Sequence, residues 1–198
     1  MNKKMMFIFA IICMIIFLIF YYIFCISGNN IIRNQKEFVE DIFEDLESYE
    51  ANIDVIVKSN KNENIYNIDQ IVNGENSKLI INSPDSVKGL EIEINEDNLR
   101  IINRKTNMEK VYENYKSIIN NSLFINCLIE EFEKFPSEIL ENENDIIVKI
   151  NLGRKNNTYI KSKELYLNKK TKLPTKIVIK DDNQKVNTSI IYNDIKVK

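Results

Sequence analysis

The N-terminal part of the chain is dominated by one long apolar run. Residues 5–26 contain no charged side chain and follow directly after Lys3 and Lys4. A hydrocarbon core about 30 Å thick is crossed by roughly 20 apolar helical residues. Tyr21 and Tyr22 stand near the far end of the run, where amphipathic rings favour the membrane interface. The pattern predicts a membrane-spanning helix that keeps the N-terminus in the cytoplasm, because Lys3 and Lys4 lie on the inner side.

Two other fates are open to this apolar run. A signal peptidase could cleave after Ser27, and Cys25 could carry a lipid, although Phe24 stands where bacterial lipoproteins have a small residue. We favour a retained anchor, because the run is longer than the roughly 7 to 15 apolar residues of a secretory signal. The predicted organisation is an anchor or signal segment over residues 1–28, a short linker over 29–34 and one extracytoplasmic domain over 35–198.

The domain begins with a helical pattern and continues with strands. Apolar residues recur at helical spacing at Val39, Ile42, Phe43 and Leu46. This spacing predicts an amphipathic helix. Apolar residues then recur at every second position over 53–57 and 90–94, which predicts half-buried antiparallel strands. Short polar clusters such as Asn73-Gly74 separate these runs and indicate turns.

A second helix is predicted over residues 115–134, where Phe124, Leu128 and Phe132 recur every four residues. Its middle is apolar nearly all round, so it needs cover on more than one side, which a strongly curved sheet can provide. After Pro136 the pattern predicts strands over 146–150, 159–167, 172–180 and 185–197. The predicted fold class is α+β, with a long antiparallel sheet wrapped around helices.

Several segments resemble a known superfamily. The run Tyr166–Lys176, the turn at 181–183 and the last strand ending at Tyr192–Ile195 look like the terminal hairpins of the LolA/LolB/RseB superfamily. Residues 72–79 and 84–90 are similar to its early strands. Within this superfamily the chain most resembles the clostridial germination lipoprotein GerS and its relatives.

The resemblance implies an incomplete antiparallel β-barrel closed over by helices. In carrier members of the superfamily the cavity holds acyl chains, and Phe124, Leu128 and Phe132 would line it here. In the GerS branch the domain is instead an accessory partner of CwlD, an N-acetylmuramoyl-L-alanine amidase that helps to generate the muramic lactam of the spore cortex. A homodimer is also left open. GerS is a lipoprotein, whereas Cys25 has poor lipidation context, so anchoring by a helix is expected.

Composition argues against most enzyme classes. The chain has no histidine, which catalytic triads and most zinc sites use, and its four glycines form no phosphate-binding loop. The adjacent acids Asp181-Asp182 and Glu130-Glu131 point apart on a strand or helix. We predict no catalytic residues, no cofactor and no metal. The net charge of −2 also does not favour nucleic-acid binding.

Charge placement suggests one contact surface. Basic residues are concentrated between positions 149 and 180, and the candidates for contact with a partner or an anionic surface are Lys161, Lys163, Lys169, Lys170, Lys172 and Lys176. Such a cluster fits a docking site or an attraction to wall polymers and lipid headgroups. It also fits a solvated sheet face, because Lys176 and Lys180 alternate with Ile177 and Ile179, and lysine protects edges from aggregation.

These observations lead to one function and one alternative. The expected function is a non-catalytic, membrane-tethered accessory protein in sporulation or germination, which binds and supports a cell-wall amidase of the CwlD type. Its expected location is the outer face of the cytoplasmic membrane, including the forespore envelope. The alternative is a lipid or lipoprotein carrier of the LolA type, which requires an accessible apolar cavity.

Overall fold

A computed structural model describes residues 14–19, 21, 36–59, 61–74, 76–95, 98–113, 123–153 and 160–198. The chain forms two compact units, residues 1–41 and residues 42–198. In the first unit, residues 14–19 and 21 are helical, and their apolar side chains are exposed. Across the described part of the chain, no helix has the length and apolarity that crossing a membrane requires. Most of the predicted span 5–26, and Cys25, lie outside the described residues.

Helix α1 comprises residues 36–45. Lys36 and Glu40 form an ion pair at 3.6 Å on its exposed side. The apolar positions that predicted this helix are all buried, namely Val39, Ile42, Phe43 and Leu46. Leu46 lies just after the helix and donates its backbone N–H to the carbonyl of Phe43 at 3.0 Å. The predicted amphipathic helix is therefore confirmed.

The described residues of the second unit form one antiparallel sheet of eleven strands. The strands are β1 (Ser48–Lys58), β2 (Glu63–Asn73), β3 (Asn76–Ser83), β4 (Leu90–Ile94), β5 (Asn98–Asn103), β6 (Met108–Glu113), β7 (Ser137–Glu141), β8 (Asp145–Asn151), β9 (Ser162–Asn168), β10 (Pro174–Lys180) and β11 (Val186–Val197). Their order is β6-β5-β4-β3-β2-β1-β11-β10-β9-β8-β7. The sheet is open, with β6 and β7 at its two edges.

The two faces of the sheet differ because side chains alternate along every strand. One face, which we call the core face, carries Tyr49, Ile53, Leu165 and Ile177, all of them fully buried. The opposite face, called the outer face, carries mainly polar and charged side chains. Period two therefore identified strand and face correctly for β1, β4 and β10, including the inward direction of Ile177 and Ile179.

Helix α2 comprises Ile125–Lys134 and lies on the core face. The helix predicted over 115–134 includes Leu123 and Phe124, which lie before the start of α2. Residues 115–122 lie outside the described part. Phe124 has an extended conformation, φ −100° and ψ 141°, and provides no side-chain cap. The core face supplies the missing partners instead. Gln70 Nε2 donates to the carbonyl of Leu123 at 2.9 Å, and the backbone N–H of Ile125 donates to Tyr49 Oη at 3.3 Å.

Two strand predictions began two or more residues too early, and no range was predicted for β2, β3, β5, β6 or β7. β9 begins at Ser162 rather than at 159, and β10 begins at Pro174 rather than at 172. Lys172 lies in the intervening turn with φ +60°. β7 was not predicted because it is short, contains two glutamates and lies at a sheet edge, where burial imposes little alternation.

Candidate functional site

The predicted lysines do not form one surface. Lys161 lies before β9, with Nζ 4.0 Å from a carboxylate oxygen of Asp182, whereas Lys169 lies in the turn after β9 and pairs with Glu141 at 2.9 Å. Extended chain rises about 3.3 Å per residue, so the two lysines are separated by more than about 20 Å along the strand. Lys170 and Lys172 share the turn with Lys169 and are exposed.

Lys163 lies on the core face and is 1% exposed, so it cannot belong to an exposed contact surface. Its ammonium group donates to Glu131 Oε1 of α2 at 2.6 Å, and the Glu131 side chain is 8% exposed. The prediction for Lys163 was wrong because alternation with Leu165 and Leu167 directs it inward. Among the described residues, Glu131 Oε2 has no hydrogen-bond partner.

Lys176 is part of a polar cluster on the outer face of β9 and β10. The Glu164 carboxylate accepts hydrogen bonds from Lys180 Nζ at 2.6 Å and from Tyr166 Oη at 3.1 Å. Lys176 Nζ lies 5.7 Å from the centre of the Tyr166 ring. Burial, followed by the charge of Glu164, raises the pKa of Tyr166. The alternation of Lys176 and Lys180 in the sequence signals this cluster, but the pairing of Tyr166 with Lys176 requires the strand register.

A second polar network lies on the outer face of β1 and β2. The side-chain amides of Asn52 and Asn67 bond to each other in both directions, at 3.1 and 3.0 Å. Their remaining N–H groups reach Asp69 at 2.6 Å and Asp54 at 2.8 Å, respectively. The arrangement gives both amides hydrogen-bond partners within the sheet and links β1 to β2 on the outer face. Sequence reasoning did not identify it, because the cross-strand register decides which residues meet.

The third outer-face cluster, which we call the charge ladder, runs from β3 to β6. The guanidinium of Arg100 forms two hydrogen bonds with Glu109, at 2.7 and 2.9 Å, and a third with Glu93 at 3.2 Å. Lys78 lies 2.7 Å from Glu91 and 3.1 Å from Glu93. Arg104 completes the ladder with two hydrogen bonds to Glu91.

The ladder strongly stabilises the charged form of one carboxylate. Hydrogen bonds from Arg104 and then Lys78 lower the pKa of Glu91 to about 2. Its side chain is only 12% exposed, because it lies between these two cations. The ladder connects the four neighbouring strands β3 to β6. With its pKa this low, the Glu91 carboxyl group stays ionised near neutral pH and is not suited to proton transfer there.

The residues predicted to line a cavity are packed into the core. Phe124, Leu128 and Phe132 are 3%, 1% and 2% exposed. A wall of a water-accessible cavity would retain accessible area, so these three side chains do not line such a cavity. Phe132 instead meets Phe43 edge to face, with ring centres 5.4 Å apart and planes at 83°. The cavity-lining prediction is therefore corrected, and these residues hold α2 against the core.

The acidic pairs singled out in the sequence do not converge. Glu130 is exposed and pairs with Lys134 at 3.0 Å, whereas Glu131 points into the core. Asp181 accepts backbone hydrogen bonds from Asn183 and Lys185 and so shapes a turn. Within the described ranges, no group of three or more cysteine, aspartate or glutamate residues is placed to hold a metal ion.

Comparison with known families assigns this sheet and its helices to a sporulation family. The sequence profile of the family described as "Sporulation protein YdcC-like" matches residues 3–198. The chain belongs to the YdcC-like sporulation protein family. This YdcC-like chain has no match among curated proteins.

Solved structures share the fold of the YdcC-like chain. A chain in the structure of the CwlD amidase from Clostridioides difficile in complex with the GerS lipoprotein aligns with a TM-score of 0.54 and 22% identity, covering 84% of this chain and 95% of that one. An uncharacterized conserved protein from Thermus thermophilus aligns with a TM-score of 0.53 and 12% identity, covering 80% and 86%. These likenesses show the fold.

A LolA superfamily protein, NE2245 from Nitrosomonas europaea, also aligns with the YdcC-like chain. The TM-score is 0.40 at 13% identity, with 81% of this chain and 93% of that one covered. The alignment with a chain of the GerS complex bears out, at the level of the fold, the resemblance that the terminal hairpins predicted.

Proposed function

We propose that this protein is a non-catalytic accessory protein of sporulation or germination, which binds a cell-wall amidase of the CwlD type and supports its activity. The proposal draws on the YdcC-like sporulation family and on the fold shared with a chain of the GerS–CwlD complex. By binding the active conformation of the enzyme more tightly, the protein would increase the population of that conformation. The effect would rise with occupancy and saturate.

The burial of the apolar side chains at α2 is the observation that carries the proposal. A carrier must accept an acyl chain, whereas Phe124, Leu128 and Phe132 are each at most 3% exposed. The core face is also tied to α2 by the buried pair of Lys163 and Glu131, at 2.6 Å. Opening a cavity here would separate this pair in a medium of low polarity, which is costly. These features favour a partner-binding protein over a carrier.

We also propose that the protein is tethered to the outer face of the cytoplasmic membrane, at the forespore envelope in sporulating cells. The helical residues 14–19 expose apolar side chains, with Phe17 at 73%. A helix with apolar side chains on all sides favours hydrocarbon over water. The two lysines before the apolar run support the outward orientation of the domain. Fractionation and protease access to the domain in intact cells test this arrangement.

The amidase proposal is tested with the full chain. A C-terminally tagged copy is co-expressed with the CwlD-type amidase of the same genome, extracted in mild detergent and purified on the tag. Amidase activity is then measured on cortex peptidoglycan at increasing ratios of accessory protein to enzyme, with a catalytically inactive amidase as control. We expect stoichiometric recovery and a saturable rise in activity.

Two results would overturn the proposal. The first is failure of the amidase to co-purify or to gain activity. The second is recovery of stoichiometric lipid or lipoprotein in place of the amidase, identified by mass spectrometry of the purified material. That second result would establish the carrier function, and it would require α2 to move away from the core face.

A further inference from the structure

The edge strand β6 is exposed along its whole length. All six residues of Met108–Glu113 are exposed, and three of them are large and apolar or aromatic: Met108 at 68%, Val111 at 48% and Tyr112 at 38%. β6 pairs with β5 on one side, and among the described residues no strand pairs with its other side. An edge strand of this kind presents backbone N–H and C=O groups that can pair with another chain.

The usual protection of an edge strand is weak at β6. Native edges are blunted by proline, by bulges or by charges directed at an approaching strand. β6 contains no proline, and its pairing with β5 has no register shift. Glu109 is engaged sideways by Arg100, and Lys110 Nζ lies 4.6 Å from the centre of the Tyr112 ring. The charge of Glu109 is therefore directed toward β5, and that of Lys110 lies along β6 itself.

The charge ladder indicates what kind of strand would fit. On the outer face its sign alternates from strand to strand: Lys78 on β3, Glu91 and Glu93 on β4, Arg100 and Arg104 at β5, and Glu109 and Glu113 on β6. Opposite charges on neighbouring strands stabilise a sheet. A strand added beyond β6 would continue the alternation if its outer-face residues were basic.

The core side of β6 sets the second requirement. Met108, Lys110 and Tyr112 lie on that side, because Tyr112 is opposite the buried Leu99 and Met108 is opposite Asn103. An added strand would meet the exposed side chains of Met108 and Tyr112 there. Apolar residues at alternate positions would cover them, while the basic residues in between would face the outer side.

We propose that β6 is a docking edge that accepts an extended, basic and apolar alternating segment of a partner protein as a twelfth strand. The backbone of β6 would supply hydrogen bonds, and the two side-chain rows would supply selectivity, as in strand addition elsewhere. The inference stands apart from the amidase proposal, because the chemistry of the edge defines the segment whichever protein carries it.

Three dye-labelled peptides test the proposal on the detergent-solubilised full chain. The first alternates lysine and valine over six residues, the second alternates glutamate and valine, and the third has the composition of the first with its lysines and valines in separate blocks. Binding is measured by fluorescence anisotropy, and hydrogen exchange locates the protected amides. We expect the alternating basic peptide to bind and to slow exchange at residues 108–113.

Two matched variants sharpen the result. Glu113→Lys reverses the charge at the proposed edge, and Glu138→Lys makes the same change on β7, the other edge strand. The first should weaken the basic peptide roughly fivefold and favour the acidic one, because like charges on paired strands repel. The second should leave binding within about twofold, since β7 lies at the opposite end of the strand order. Absence of binding, equal binding of the blocked peptide, or protection away from residues 108–113 would overturn the proposal.

Discussion

Both faces of the sheet carry pairs of a basic and an acidic side chain, but these pairs differ in their exposure to water. On the core face, Lys163 and Glu131 meet at 2.6 Å with side-chain exposures of 1% and 8%. On the outer face, the charge ladder joins side chains that are between 12% and 62% exposed. A pair removed from water is very sensitive to loss of one partner, whereas exposed pairs contribute little singly. The comparison indicates that the core pair holds α2 on the core face, whereas the ladder links neighbouring strands.

The largest expected effect is the loss of one partner of the core pair. Glu131→Ala would leave the Lys163 ammonium buried without its carboxylate, which typically costs about 3–5 kcal/mol. The measurement is the free energy of unfolding of the full chain in denaturant. Glu133→Ala is the matched control, since Glu133 lies on the same helix and is exposed.

A double variant separates the charge from the packing. Lys163→Met combined with Glu131→Leu removes both charges and retains apolar volume, so its stability should equal or exceed that of the wild type. If Glu131→Ala unfolded no more easily than Glu133→Ala, the pair would not hold α2 and the contrast between the two faces would fail.

A smaller effect is expected at the start of α2. Tyr49→Phe removes the hydroxyl that accepts the N–H of Ile125 and donates to Gln70 Oε1 at 3.4 Å. Loss of a hydrogen-bond partner for a buried group costs about 1–3 kcal/mol. Denaturant unfolding measures the change, and Tyr112→Phe at the exposed edge serves as control. Slower hydrogen exchange at 123–126 in the variant, or unchanged exchange, would contradict the capping role of Tyr49.

The smallest effect concerns the charge ladder and depends on pH. Glu91 has a pKa of about 2 in the folded protein, well below its ordinary value, because Arg104 and Lys78 stabilise the carboxylate. Its contribution to stability is therefore fully present above the pKa of the unfolded chain and is lost as pH falls toward about 2. Glu91→Gln should be less stable than the wild type at pH 7, and the difference should shrink as the pH is lowered.

Unfolding midpoints at several pH values check this prediction. Glu63→Gln is the control, since Glu63 pairs with Lys58 at 2.9 Å but both side chains are nearly half exposed. A difference between Glu91→Gln and the wild type that stayed constant down to pH 2 would show that packing, and not the carboxylate charge, accounts for the role of Glu91.

Local patterns predicted elements where one face of an element is buried. The spacing of Val39, Ile42, Phe43 and Leu46 identified α1, and alternation identified β1, β4 and β10. The same reasoning failed at β7, an edge strand with little burial to impose a pattern. It also failed at Phe124, where Tyr49 and Gln70 form hydrogen bonds with the residues at the start of α2. At Phe124 the prediction failed because the partners of this segment, Tyr49 and Gln70, lie far away in the sequence.

The candidate surface shows the same limit. A run of basic residues was visible in the sequence, but alternation sends Lys163 into the core and places Lys176 beside Tyr166. The lysines of the β9–β10 turn lie at the opposite end of β9 from Lys161. The edge chemistry of β6 was not anticipated, because a strand's position in the order of the sheet cannot be inferred from its own residues.

The sequence alone shows the apolar N-terminal run, and it predicted the first helix, six of the eleven strands and the resemblance to the LolA/LolB/RseB superfamily. These depend on periodicity and composition, which are local properties. The packed structure was needed to establish which lysine is buried, which residues meet across strands and which strand lies at the edge of the sheet. Those properties depend on register and strand order, which arise when residues distant in the chain pack together.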